Sequence, residues 1–132
     1  MFNKDILIGI LISSCKIDYK IENNSKAVLG KTIKLNLSLR ATKEFLLAVE
    51  RSLLQHGITS SLKEKESKTR PKPILKIRGL NNLLKITKLV PILLPDSKNE
   101  WILLRELVEL ISNKEHLKPD GLAKCLLLKE EF

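Results

Sequence analysis

The side chains with chemistry to offer are cations on alternate positions. Lys16 and Lys20, Lys34 and Arg40, Lys63 and Lys65, and Lys76 and Arg78 recur in this way within short segments, with Asn36 and Ser38 between Lys34 and Arg40. In extended backbone, alternate side chains share one face. These would therefore gather on one surface, where each could contact a phosphate and release a counterion. Of the acids, Asp18 and Glu22 share that parity on the first of these segments. Aromatic residues for stacking on unpaired bases are nearly absent from it, which argues against recognition of single strands. Other reactive groups give little. His56 falls in the last turn of a helix, where it supports the C-terminal dipole, and His116 sits in a short linker before Pro119, placed for local capping. Cys15 and Cys125 lack CxxC spacing and read as reduced core thiols. No glycine-rich phosphate loop, nucleophile elbow or metal-ligand cluster is present in the sequence. No cofactor is expected.

The chain has 132 residues, 43% of them apolar and 30% charged, and a net charge of +9. That is enough for one globular domain with a real core, expected to span residues 1–132. The basic balance points to a polyanionic partner. The apolar run Ile6–Ile12 is too short for a membrane span, which needs about 20 residues, and no secretory or transit peptide is expected before it. Heavy use of lysine, isoleucine, asparagine and leucine fits an A/T-rich genome such as an organelle's.

Positioning the cations requires strands. Residues 16–22 alternate, with Ile17, Tyr19 and Ile21 inward. Residues 31–40 alternate again, with Ile33, Leu35, Leu37 and Leu39 inward, and the two should pair as a hairpin. Thr42 caps a helix with Phe45, Leu46, Val49, Leu53 and Leu54 on its inner stripe, ended by Gly57. Residues 58–66 read as a third strand and 73–78 as a fourth, joined by a turn at Lys68–Pro71. Helical spacing resumes at Leu80 (Leu83, Leu84, Thr87, Val90) until Pro91 and Pro95, again over about 97–113, and in a last short helix over 119–130 with Pro119 in its first turn. Ahead of all this, Asp5 or Asn3 can cap the run Ile6–Ile12, which is apolar on every side apart from Gly9 and would have to be buried all round. Periodicity alone leaves open a core helix or a buried strand there. The expected fold is α+β: one four-stranded antiparallel sheet with helices on one face.

Leu7-Ile8-Gly9-Ile10-Leu11-Ile12-Ser13-Ser14-Cys15 resembles, position for position, the motif that names the LAGLIDADG homing endonucleases. The αββαββα order, here followed by two more helices, is similar to one half of such a protein, with a saddle-shaped sheet face laid on nucleic acid. The passage Asn113–Leu122, followed by Leu128-Lys129, resembles the C-terminal signature of the mitochondrial branch, with its histidine-leucine, acidic-glycine-leucine and leucine-lysine pairs. The departures lie at the acidic end. Ser14 stands where the family places its metal-binding aspartate, and Cys15 replaces the closing glycine. The family's basic active-site position falls near Asp96 or Lys98.

Magnesium takes hard oxygen ligands, one or two of them carboxylates. A serine hydroxyl brings no charge, Asp5 is at the wrong end of the helix, and strand geometry aims Asp18 elsewhere. The resemblance thus implies a scaffold without catalytic or metal residues. Ile6, Leu7, Gly9, Ile10 and Ser13 still suit close helix contact, so a two-fold homodimer is expected through them; the alternative is that helix 97–113 covers this face within one chain. The expected role is structural binding of RNA, foremost rRNA in a mitochondrial ribosome beside ribosomal proteins, with a chloroplast as the other setting. An intron maturase or a relic that binds duplex DNA without cleavage is the alternative, with a residual nuclease, using Asp18 or a partner chain's acid, after both.

Overall fold

The computed structural model describes residues 1–90 and 99–131. In chain order they form α1 (Lys4–Ser14), β1 (Lys16–Asn23), β2 (Lys31–Arg40), α2 (Lys43–Leu54), β3 (Ser61–Lys63), β4 (Ile74–Arg78), α3 (Leu80–Leu89), α4 (Asn99–Ser112), a 3-10 turn (Glu115–Leu117) and α5 (Pro119–Glu131). The sheet is antiparallel with strand order β1-β2-β4-β3. The expected break at Pro91 and Pro95, and the positions Asp96 and Lys98, lie outside the described residues.

Local chemistry sets the element ends. The Asn3 side chain accepts from the Ile6 N–H and caps α1, and Thr42 does the same for α2 through the Phe45 N–H. Gly57 carries the chain out of α2 with φ +72, a conformation that penalises a Cβ. Leu37, Leu39, Leu75 and Ile77 project from the central strands into one core with Leu7 and Leu11 of α1, Leu46, Val49 and Leu53 of α2, Leu83 and Ile86 of α3, and Trp101, Leu104 and Val108 of α4. Each such side chain contributes on the order of 1.5–3 kcal/mol of burial. A smaller cluster joins Tyr19, Leu107 and Cys125. There the Tyr19 hydroxyl donates to the Cys125 carbonyl at 2.8 Å, and Lys129 Nζ donates to the Tyr19 carbonyl on edge strand β1.

Three expectations need correction. The third strand is three residues, not 58–66. The Ile58 N–H bonds the Leu53 carbonyl in the wrap that closes α2, and the Thr59 N–H bonds Asn82 Oδ1 at 3.1 Å, so these donors are spent outside the sheet. Beyond Lys63 the chain enters a turn closed by Ser67–Arg70 and Glu66–Lys72 backbone bonds, and Lys65 lies in that turn rather than on a strand. Leu54 is not on the inner stripe of α2: it is 53% exposed in the last helical turn. Finally, α1 is not buried all round. Only Leu7 and Leu11, a turn apart, are fully covered, while Ile6 is 50% exposed.

Candidate nucleic-acid interface

The strand registers turn alternate residues into rows across the outer sheet face. Lys16, Ser38, Lys76 and Ser61 make one row; Asp18, Asn36 and Arg78 another; Lys20 faces Lys34; and Arg40, Ile74 and Lys63 close the far end. All the expected cations except Lys65 are therefore brought together on β1–β4. Lys16, Lys20, Lys34, Arg40 and Lys76 line a hollow of about 390 Å³ together with Arg70 and the acids Asp18, Glu22 and Glu66. A second hollow of about 420 Å³ lies between Lys63, Lys76, Arg78 and Asn82.

Electrostatics divides these cations. Lys34 pairs with Glu22 at 2.9 Å, and Glu66 grips Arg40 through Nε at 2.7 Å and Nη2 at 3.0 Å. Lys16, Lys20, Lys63, Lys76 and Arg78 form no ion pair among the described residues. Lys20 and Lys34 stand directly opposite each other, a like-charge arrangement that destabilises a sheet by roughly 0.2–1 kcal/mol. The floor is not self-satisfied either. Asn36 Oδ1 and Ser38 Oγ are covered and have no hydrogen-bond partner, and Ser38 is 2% exposed between its lysine neighbours. Lys34, Asn36 and Arg40 line the hollow, whereas Ser38 lies beneath the row it belongs to.

Glu66 and Arg70 were missing from the sequence reading of this face. Arg70 also donates to Glu66, at 3.5 Å. Their place depends on a turn folding back on β2, and no local periodicity announces that.

At the tip of α1, Ser13 Oγ donates to the Gly9 carbonyl at 2.7 Å and lies 3.3 Å from Ser14 Oγ. The Cys15 N–H closes the helix on the Leu11 carbonyl, and burial pushes its thiol up to about 12. Among the described residues the tip offers hydroxyls and no carboxylate, a donor set that does not fit a magnesium ion. Among the described residues no group of His, Cys, Asp or Glu side chains is arranged to hold a metal. His56 is exposed beyond α2, and His116 has its Nδ1 covered without a partner, with burial lowering its basicity. No described helix is long and apolar enough to cross a membrane.

Of the seam residues, Leu7 is wholly in this chain's own core and cannot meet a partner. Ile6, Gly9 and Ser13 are exposed and Ile10 half-buried. Among the described residues a Cβ built on Gly9 would meet nothing within 4 Å, so α4 (Asn99–Ser112) does not cover Gly9.

No family model matches the sequence, and no curated protein matches it. Solved structures do. The crystal structure of a homing endonuclease, I-TnaI, superposes with TM-score 0.77 at 17% identity, over 99% of this chain and 88% of that one. An archaeal intron-encoded homing endonuclease, I-Vdi141I, complexed with DNA, gives 0.82 at 19%, over 97% and 80%. The LAGLIDADG meganuclease I-CpaMI, bound to uncleaved DNA, gives 0.79 at 22%, and this chain spans 45% of its length. Every element of the αββαββα order is accounted for, and the chain has the single-motif fold of the LAGLIDADG homing endonucleases.

Proposed function

We propose that this protein binds a nucleic-acid duplex on its sheet face without cutting it, and does so as a dimer joined through α1. The observation that carries the reading is the set of cation rows over β1, β2 and β4, several of them unpaired and two directly opposed. Such a face gives up stability when free and recovers it against phosphates. The names of I-CpaMI and I-Vdi141I, both solved with DNA, support a duplex as the occupant. So does geometry, since the major groove of B-DNA admits a two-stranded β-ribbon while the major groove of A-form RNA is deep and narrow. Ser14 in the metal position supports binding without cleavage. Incubation with magnesium and varied duplexes tests it: retention without strand breaks is expected, and any double-strand cut would overturn it.

A second reading keeps the fold and changes the polyanion: rRNA in a mitochondrial ribosome. A scaffold without its acid has no cutting to do on DNA, and the lysine-, isoleucine- and asparagine-rich composition suits an organelle. Co-sedimentation with ribosomal subunits in a gradient would favour it; recovery only with DNA would discard it.

The dimer has its own test. Among the described residues nothing lies against Gly9, so Gly9→Ala should stabilise the isolated helix by up to about 1 kcal/mol yet weaken the dimer. Sedimentation velocity should show a shift toward monomer, and an unchanged dimer would place the seam elsewhere.

A further inference from the structure

We infer that Arg40 reads the edge of a guanine in duplex DNA and that Glu66 holds it in the reading pose; the inference rests on the duplex-binding reading above. The Glu66 carboxylate takes the Nε and Nη2 donors on one side of the guanidinium, at 2.7 and 3.0 Å. An arginine carries five N–H donors in a fixed fork, so the end formed by Nη1 and the second Nη2 hydrogen stays free. That end matches the paired O6 and N7 acceptors guanine shows in the major groove. Phosphate offers a similar spacing, and charge separates the two: the Glu66 carboxylate beside Arg40 repels a phosphate anion, whereas a guanine edge is neutral. Arg40 ends β2 past the last pair with β1, Lys16–Ser38, in the row it shares with Ile74 and Lys63.

The clamp is built rather than incidental. Glu66 is only 18% exposed, and Arg70 Nη1 reaches its Oε2, the oxygen that Arg40 Nη2 also holds, at 3.5 Å. Ile74, opposite Arg40 on this outer face, is fully buried, which fits a turn folded over this end of the sheet. A mere electrostatic mask would need neither the bidentate edge nor the second arginine. Glu66 is thus a positioning residue, acting through Arg40.

The test is selection of the full-length protein on a randomised DNA duplex, followed by titration over a range of salt, for wild type, Arg40→Lys, Glu66→Gln and the double variant. Wild type should enrich guanine at one position. Arg40→Lys keeps the charge but loses the fork, and should reduce that preference roughly 5- to 100-fold while low-salt affinity for random sequence stays similar. Glu66→Gln should reduce it too, with the double variant no worse than Arg40→Lys alone. A uniform loss across sequences for Arg40→Lys would mean a phosphate contact and overturn the inference. So would tighter binding by Glu66→Gln with guanine preference intact, which would make Glu66 a mask. If wild type binds no duplex at all, the duplex reading itself fails. Thermal melts check folding; should Glu66→Gln not fold, the Arg40→Lys profile decides alone.

Discussion

Gly121 shows how a single missing methyl can fix the end of a chain. It lies in the first turn of α5, and a Cβ there would come within 1.8 Å of the Glu115 carbonyl oxygen and 2.4 Å of its carbon, both backbone. Neither can step aside, so Gly121→Ala should destabilise by roughly 1–3 kcal/mol, seen as a lower midpoint in chemical denaturation; wild-type stability would mean the 3-10 turn shifts freely. Cys15 makes a second residue-scale prediction. Burial pushes its thiol up to about 12, so at neutral pH it holds on the order of a thousandfold less thiolate than a free cysteine. Alkylation in the folded protein should be correspondingly slow and become fast on unfolding. Equal rates in both states would show the α1–β1 junction to be open.

The turn between β3 and β4 is the element whose behaviour depends on pH. Hydrogen bonds donated by Arg40 and Lys43 hold Glu66 and Glu64 below the ordinary glutamate value of 4.5. A carboxylate lowered in the native state adds stability above its unfolded value and loses it as pH falls through the native one. The turn should stay closed at neutral pH and loosen only below 4.5. Following the Arg40 Nε–H resonance down to about pH 3 checks this, and a signal that changes nearer neutrality would point to another group. This turn is also where reading the sequence fell short. The parity of Ile17, Tyr19 and Ile21, and of Ile33 through Leu39, is a local property, and it gave both the strands and the face for their cations. The Arg40–Glu66 grip joins residues 26 apart, and the Asn82 bonds that end β3 join residues 23 apart; neither leaves a periodic trace. Leu54 was misplaced because the last turn of α2 already leaves the core, and the uniformly apolar α1 concealed which of its sides this chain covers.

For the whole molecule, the sheet face acts as one electrostatic surface. Replacing Lys34, Arg40, Lys76 and Arg78 together by alanine should weaken duplex binding and flatten the dependence of log affinity on log salt by roughly 3, if Lys34, Lys76 and Arg78 each touch a phosphate of B-DNA and Arg40 a base edge. A slope that does not move would put the contact on another surface; loss of the exposed Lys34–Glu22 pair should change stability little, so any destabilisation should come from leaving the half-buried Glu66 without Arg40. The sheet stays open at both ends, and its two borders are managed differently. β3 is too short to template a neighbour. Along β1, Lys129 of the last helix occupies the Tyr19 carbonyl, and the Tyr19 hydroxyl ties that helix back by its Cys125 carbonyl. The C-terminal segment thereby shields this part of the strand margin: a chain clipped before Pro119 should lose solubility, measured by light scattering, before it loses its grip on a duplex.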